Sequence, residues 1–73
     1  MSPEKLVYMA NQIATFFRSQ PEEKAVAGVA EHINSFWEPR MRAALLDRVA
    51  ENPTGIDGLV LKAAGHVKPV KAA

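Results

Sequence analysis

The chain has 73 residues, of which 48% are hydrophobic and 23% charged, and its formal net charge is +1. This length allows one small domain with a marginal core, and it excludes a Rossmann domain, a barrel or any other self-contained cofactor-binding fold. The weak net charge argues against a nucleic-acid or membrane partner, and the absence of cysteine excludes disulfides, thiolate nucleophiles and cysteine metal ligands.

Three segments have apolar residues at helical spacing, and each is introduced by a proline. The first helix is expected to have Ser2 as its N-cap and Pro3 at its first position. The second and third are expected to start at Pro21 and Pro39, because a proline at a helix start loses no hydrogen bond. The breaker-rich residues 51–55 end the third helix.

A short fourth helix is expected after these breakers. Thr54 and Asp57 have the spacing of an N-cap and an acidic third residue, and Gly65 is suited to a C-cap. We expect residues 1–65 to form a single helical domain and residues 66–73 to form a frayed, flexible tail. The pattern predicts an all-α fold, namely a small three-helix bundle with a short fourth helix.

The predicted core is formed by one apolar face on each of the three main helices. Its expected members are Leu6, Met9, Ile13, Phe16, Phe17, Val26, Val29, Ile33, Phe36, Leu45 and Val49.

Patterns that carry chemistry are missing from the sequence. The two histidines, His32 and His66, are far apart and form no metal-binding pair. The glycine-bearing residues 55–58 lack the lysine and hydroxyl of a phosphate-binding loop. We therefore expect no catalytic, cofactor-binding or metal-binding residues. No run suits a membrane span and no signal peptide is recognised, so a cytoplasmic location is expected.

The junction between the second and third segments is the densest feature of the sequence. It brings Trp37 together with Arg40 and Arg42, and both residue types are enriched in interface hot spots. On one interpretation Trp37 belongs to the core and the arginines are solvated. On the other, these three residues bind a partner.

Three further residues are candidates for partner binding. Asn11 and Gln12 lie in the middle of the first helix, where asparagine is unfavourable. One of them is expected either to face a partner or to bond across to another helix. His32 is either a helix-surface or half-buried residue without a special role, or a partner contact or pH-sensitive switch.

Two blocks of the sequence carry a family resemblance. Residues 9–17 read Met-Ala-Asn-Gln-Ile-Ala-Thr-Phe-Phe, and residues 32–42 read His-Ile-Asn-Ser-Phe-Trp-Glu-Pro-Arg-Met-Arg. Together they resemble the delta subunit of soluble NAD-dependent formate dehydrogenases, and the second block is the more specific. The resemblance extends over about residues 4–64.

The resemblance implies more than the residues show by themselves. Delta subunits of this family are small accessory proteins of a cytoplasmic complex that oxidises formate and reduces NAD. The large alpha subunit holds a molybdenum or tungsten bis-pterin cofactor and iron–sulfur clusters, and other subunits hold flavin mononucleotide. The resemblance implies a non-catalytic chain without a cofactor that supports assembly or stability of the complex, with the alpha subunit as its partner.

Two alternatives stay open from the residues alone. One is an unrelated helical adaptor. The other is a small nucleic-acid-binding module that uses Arg40, Arg42 and Arg48, since guanidinium groups bind phosphate well. The sequence does not determine a state of self-association.

Overall fold

The structure, a computed structural model, describes residues 2–69. These residues contain four α-helices and no strand: α1 (Pro3–Phe17), α2 (Glu22–Phe36), α3 (Pro39–Glu51) and α4 (Gly58–Ala64). The predicted all-α class is confirmed. Within residues 2–69 there is no helix with the length and apolar character needed to cross a membrane.

The starts of the first three helices follow their prolines. Ser2 caps α1, and its hydroxyl oxygen accepts a hydrogen bond from the Lys5 backbone N–H at 3.2 Å. Pro39 is the first residue of α3, as predicted. Pro21 occupies the cap position of α2, so this helix begins one residue later than expected.

The start of α4 differs from the prediction. Thr54 is not its N-cap; the cap is Asp57, whose carboxylate accepts a hydrogen bond from the Leu59 N–H at 2.9 Å. The reason is Gly55, which has a φ of +81°. A helix cannot run through this left-handed conformation, so the chain turns first and is capped later. Gly65 follows the last turn of α4 at the predicted C-cap.

The fourth helix is an integral part of the packing. α2 packs against both α1 and α4, and α3 packs mainly against α1. Val60 and Ala63 of α4 and the flanking Ile56 and Val67 are all buried in the common core. The fold is therefore a four-helix arrangement, in which α4 is more than an appendage to a three-helix bundle.

Packing also continues beyond residue 65, where we expected it to end. Val67 is only 4% exposed and belongs to the core cluster. The expected flexible tail therefore does not begin at residue 66. Residues 70–73 of that predicted tail lie outside the described residues.

Much of the predicted core is confirmed. Leu6, Val29, Ile33 and Leu45 are buried. Five other members are partly buried and pack against the core: Met9, Ile13, Phe17, Val26 and Val49.

Phe16 and Phe36 were predicted in the core but are each 75% exposed. On α1 the buried face follows Ala10 and Ala14, and Phe16, two positions beyond Ala14, points about 200° away from it. At the end of α2, Trp37 leaves the helix in an extended conformation and is buried instead of Phe36. Small residues on the inner faces let these helices approach closely.

Candidate partner-binding surface

Trp37, predicted as a possible anchor for a partner, lies inside the chain. Its side chain is 6% exposed and packs in the core. Its backbone N–H donates to the Ile33 carbonyl at 3.0 Å, which closes the last turn of α2. The ring is therefore not available to fill a pocket on another protein, and the core interpretation of this residue is the correct one.

The two arginines of the junction have different surroundings. Arg42 is half-buried, and its Nη1 donates to the Trp37 carbonyl at 3.0 Å while its Nε donates to the Lys68 carbonyl at 3.3 Å. It thereby ties the α2–α3 junction to the segment after α4. Arg40 is exposed. Of the two, Arg40 remains a candidate for contact with a partner, and Arg42 has a structural role.

The alternative of phosphate binding by an arginine cluster is weakened by the same geometry. Besides Arg42, Arg48 also bonds within the chain, since its Nη2 donates to the Thr54 carbonyl at 3.0 Å. A guanidinium group that already donates to backbone carbonyls has fewer N–H groups free to bind phosphate.

Asn11 bonds across to another part of the chain. Its Nδ2 donates to the Gly55 carbonyl at 3.0 Å, and its Oδ1 accepts from the Asp57 N–H at 2.9 Å. Both groups belong to the loop before α4. Gln12, its neighbour, is exposed and remains a candidate for partner binding.

Asn34 has an equivalent role that the sequence interpretation missed. Its Nδ2 donates to the His66 carbonyl at 3.0 Å, and its Oδ1 accepts from the Lys68 N–H at 2.7 Å. The sequence did contain a signal for this role, because asparagine has a low helix propensity and its presence in a helix interior suggests that the side chain is needed there.

His32 lies on an exposed aromatic surface. Its ring centroid is 4.8 Å from that of Phe36, at an interplanar angle of 41°. On α1, the Phe16 ring meets Phe17 edge to face with centroids 5.0 Å apart. The edge-to-face geometry of the Phe16–Phe17 pair is one that aromatic rings favour, and the His32 and Phe36 rings are in tilted contact.

A shallow groove joins these two ring pairs, and we call it the aromatic groove. Its volume is about 230 Å³, and its lining residues are Phe17, Gly28, Glu31, His32, Ser35 and Phe36. A Cβ at Gly28 would lie 2.6 Å from the Phe17 ring, so the absence of a side chain lets that ring lie against α2. A glycine inside a helix costs stability, and this close contact explains its presence.

A second groove lies between α2 and α4. It has a volume of about 680 Å³ and contains the ion pair between Lys62 Nζ and Glu22 Oε2, at 2.7 Å. Glu23 and Glu31 also line it. His66 and Lys68 line it as well, so acidic and basic side chains are mixed along this groove and its charge favours no class of ligand. Within residues 2–69, no group of three or more side chains has the composition of a metal site.

Comparison with known protein families identifies the family to which these helices belong. A family model described as NADH-dependant formate dehydrogenase delta subunit FdsD matches residues 5–64. The chain belongs to this family. The match covers all of α1 except its first two residues and all of α2, α3 and α4, and it confirms the resemblance carried by the two sequence blocks.

For this delta-subunit chain, a search of curated proteins and a search of solved structures gave no match. The aromatic groove and both asparagines lie within the matched residues.

Proposed function

We propose that this chain is a non-catalytic accessory subunit that supports the assembly or stability of a cytoplasmic NAD-dependent formate dehydrogenase, with the large catalytic alpha subunit as its partner. The observation that carries the proposal is the match to the delta-subunit family across all four helices. Such a match favours a dedicated subunit over an unrelated helical adaptor.

The interior of the chain supports a role without chemistry of its own. Within residues 2–69, every buried side chain is apolar. Catalysis requires a nucleophile, acid or base held in a site that excludes water. Among residues 2–69 no acidic or basic side chain is buried, which suits a protein that acts by binding.

The surface supports a binding role. Phe16 and Phe36 are each 75% exposed, and their ring partners Phe17 and His32 line one surface groove together with Phe36. Such patches mark contact sites in proteins that act as parts of larger assemblies.

The proposal is tested by removing this subunit from the complex. The formate dehydrogenase is purified from cells with and without the gene for this chain, and subunit stoichiometry, cofactor content and formate-dependent NAD reduction are measured. We expect less assembled or less active complex without the chain. The purified chain by itself should neither oxidise formate nor retain a cofactor on gel filtration.

A second measurement separates assembly from stability. If the chain supports assembly, the complex made without it is scarce, but the part that forms loses activity at the normal rate. If it supports stability, the complex forms and then inactivates faster, and adding the purified chain slows the loss. An Ile33→Asp variant, which places a charge in the core, is the control for a misfolded chain. A complex of normal yield and lifetime without the chain would contradict the proposal.

A further inference from the structure

We infer that the aromatic groove is the docking site for an apolar side chain of another formate dehydrogenase subunit, and that this side chain is flanked by a lysine or arginine. The inference rests on the proposed function, because it assumes that the chain is bound within the complex. It names the surface and the chemistry of the contact, neither of which follows from family membership.

The groove is a preformed aromatic surface. Phe17 and Phe36 both line it, and each ring is supported by another ring, Phe16 or His32 respectively. Gly28 allows the Phe17 ring to lie against the α2 backbone. Rings that already hold one another lose little conformational freedom on binding, which favours affinity.

The size of the groove selects the kind of occupant. Its volume of about 230 Å³ is below the range of about 300–1,000 Å³ that small-molecule sites occupy. A single side chain projecting from a partner suits this volume better than a cofactor or metabolite. Aromatic anchors and the apolar pockets they meet dominate the energetics of protein interfaces.

Charge around the groove favours a partner different from this chain. Glu31 is the one acidic or basic side chain, histidine aside, among its six lining residues. In a symmetric dimer whose two-fold axis passes through the groove, Glu31 of one copy would lie near Glu31 of the other, which is unfavourable. A different subunit with a lysine or arginine beside its apolar side chain would pair with Glu31 instead.

The test compares exposed aromatic residues at different places on the surface. Tagged full-length variants Phe36→Ala and Phe16→Ala are coexpressed with the other subunits, and Tyr8→Ala is the matched control. Phe36 lines the groove and Phe16 supports the Phe17 ring that lines it, whereas Tyr8 is 63% exposed, does not line the groove and belongs to neither ring pair. We expect the two phenylalanine variants to bind the complex at least about 10-fold more weakly, as loss of an interface anchor does. Tyr8→Ala should bind as the wild type does.

A charge reversal tests the flanking cation. Glu31→Lys should weaken binding, and its defect should shrink as the salt concentration rises, because the repulsion is screened. Glu51→Lys makes the same charge change at an exposed position at the end of α3 and should have no effect. The inference would be overturned if Glu31→Lys and Glu51→Lys weakened binding to the complex equally. It would also be overturned if all three aromatic variants weakened binding equally.

A photo-cross-linking amino acid at position 36 identifies the occupant. We expect a cross-link to an apolar segment of another subunit that contains a lysine or arginine. A cross-link to a second copy of this chain would overturn the inference in favour of self-association. If the wild-type chain does not co-purify with the complex, the proposed function fails. If it co-purifies and the groove variants bind equally well, only the groove assignment fails.

Discussion

Asn11 and Asn34 hold the two ends of α4 in the same way. The Asn11 side chain donates to one backbone carbonyl and accepts from one backbone N–H in the loop before α4, at 3.0 and 2.9 Å. The Asn34 side chain makes the same pair of bonds with the segment after α4, at 3.0 and 2.7 Å. One asparagine comes from α1 and the other from α2, so α4 is fixed to both helices.

This arrangement compensates for the length of α4, which has only seven residues. Isolated helices shorter than about 12–15 residues are marginal in water. Its apolar residues Val60 and Ala63 supply the packing, and the two asparagines determine where its ends lie.

Asn11→Ala should destabilise the chain by about 1–3 kcal/mol, because two backbone groups of the loop lose their partner. Gln12→Ala, a neighbouring exposed position, should change stability by less than about 0.5 kcal/mol. Thermal unfolding followed by circular dichroism compares them, since 1 kcal/mol corresponds to about 4–8 °C in a domain of this size. Equal melting temperatures for both variants would contradict the role of Asn11.

Trp37→Ala should cost about 3–5 kcal/mol as a large-to-small change in the core. Phe36→Ala, one residue earlier in the chain, should change stability by about 0.5 kcal/mol or less, because its ring is exposed. Urea unfolding of both variants is the measurement. A larger loss from Phe36→Ala than from Trp37→Ala would mean that the assignment of these two rings is reversed.

Arg42→Ala should cost about 1–2 kcal/mol, since a charged donor to two backbone carbonyls is lost. Arg40→Ala makes the same substitution at an exposed position and should leave the unfolding midpoint close to that of the wild type. Binding of both variants to the complex is measured in parallel. Arg40→Ala reports on partner contact without a stability defect, whereas a binding loss in Arg42→Ala has to be corrected for unfolding.

Asp57 combines a helix cap with an ion pair, and two substitutions separate these roles. Its carboxylate accepts from the Leu59 N–H and also pairs with Arg18. Asp57→Asn keeps the cap and loses the ion pair, which is worth little because the Arg18 side chain is 54% exposed. Asp57→Ala loses both and should cost about 0.5–2 kcal/mol. The free energy of unfolding of both variants is measured by chemical denaturation. If the two variants lost equal amounts, the contribution of Asp57 to stability would come from the ion pair and not from the cap.

The sequence by itself determined the helices that depend on local interactions. Apolar spacing and prolines located α1, α2 and α3 to within a residue at their starts, because caps and i to i+4 hydrogen bonds involve near neighbours. The two sequence blocks also pointed to the delta-subunit family, which the match over residues 5–64 confirms.

Only the tertiary structure decided which of two neighbouring aromatic residues enters the core. Trp37 and Phe36 are adjacent, and a helical pattern extended through this junction does not show that the backbone becomes extended at Trp37. In the same way, the partners of Asn11 and Asn34 lie more than 30 residues further along the chain. These outcomes depend on contacts between distant segments, and the sequence pattern of one helix contains no information about which segment will pack against it.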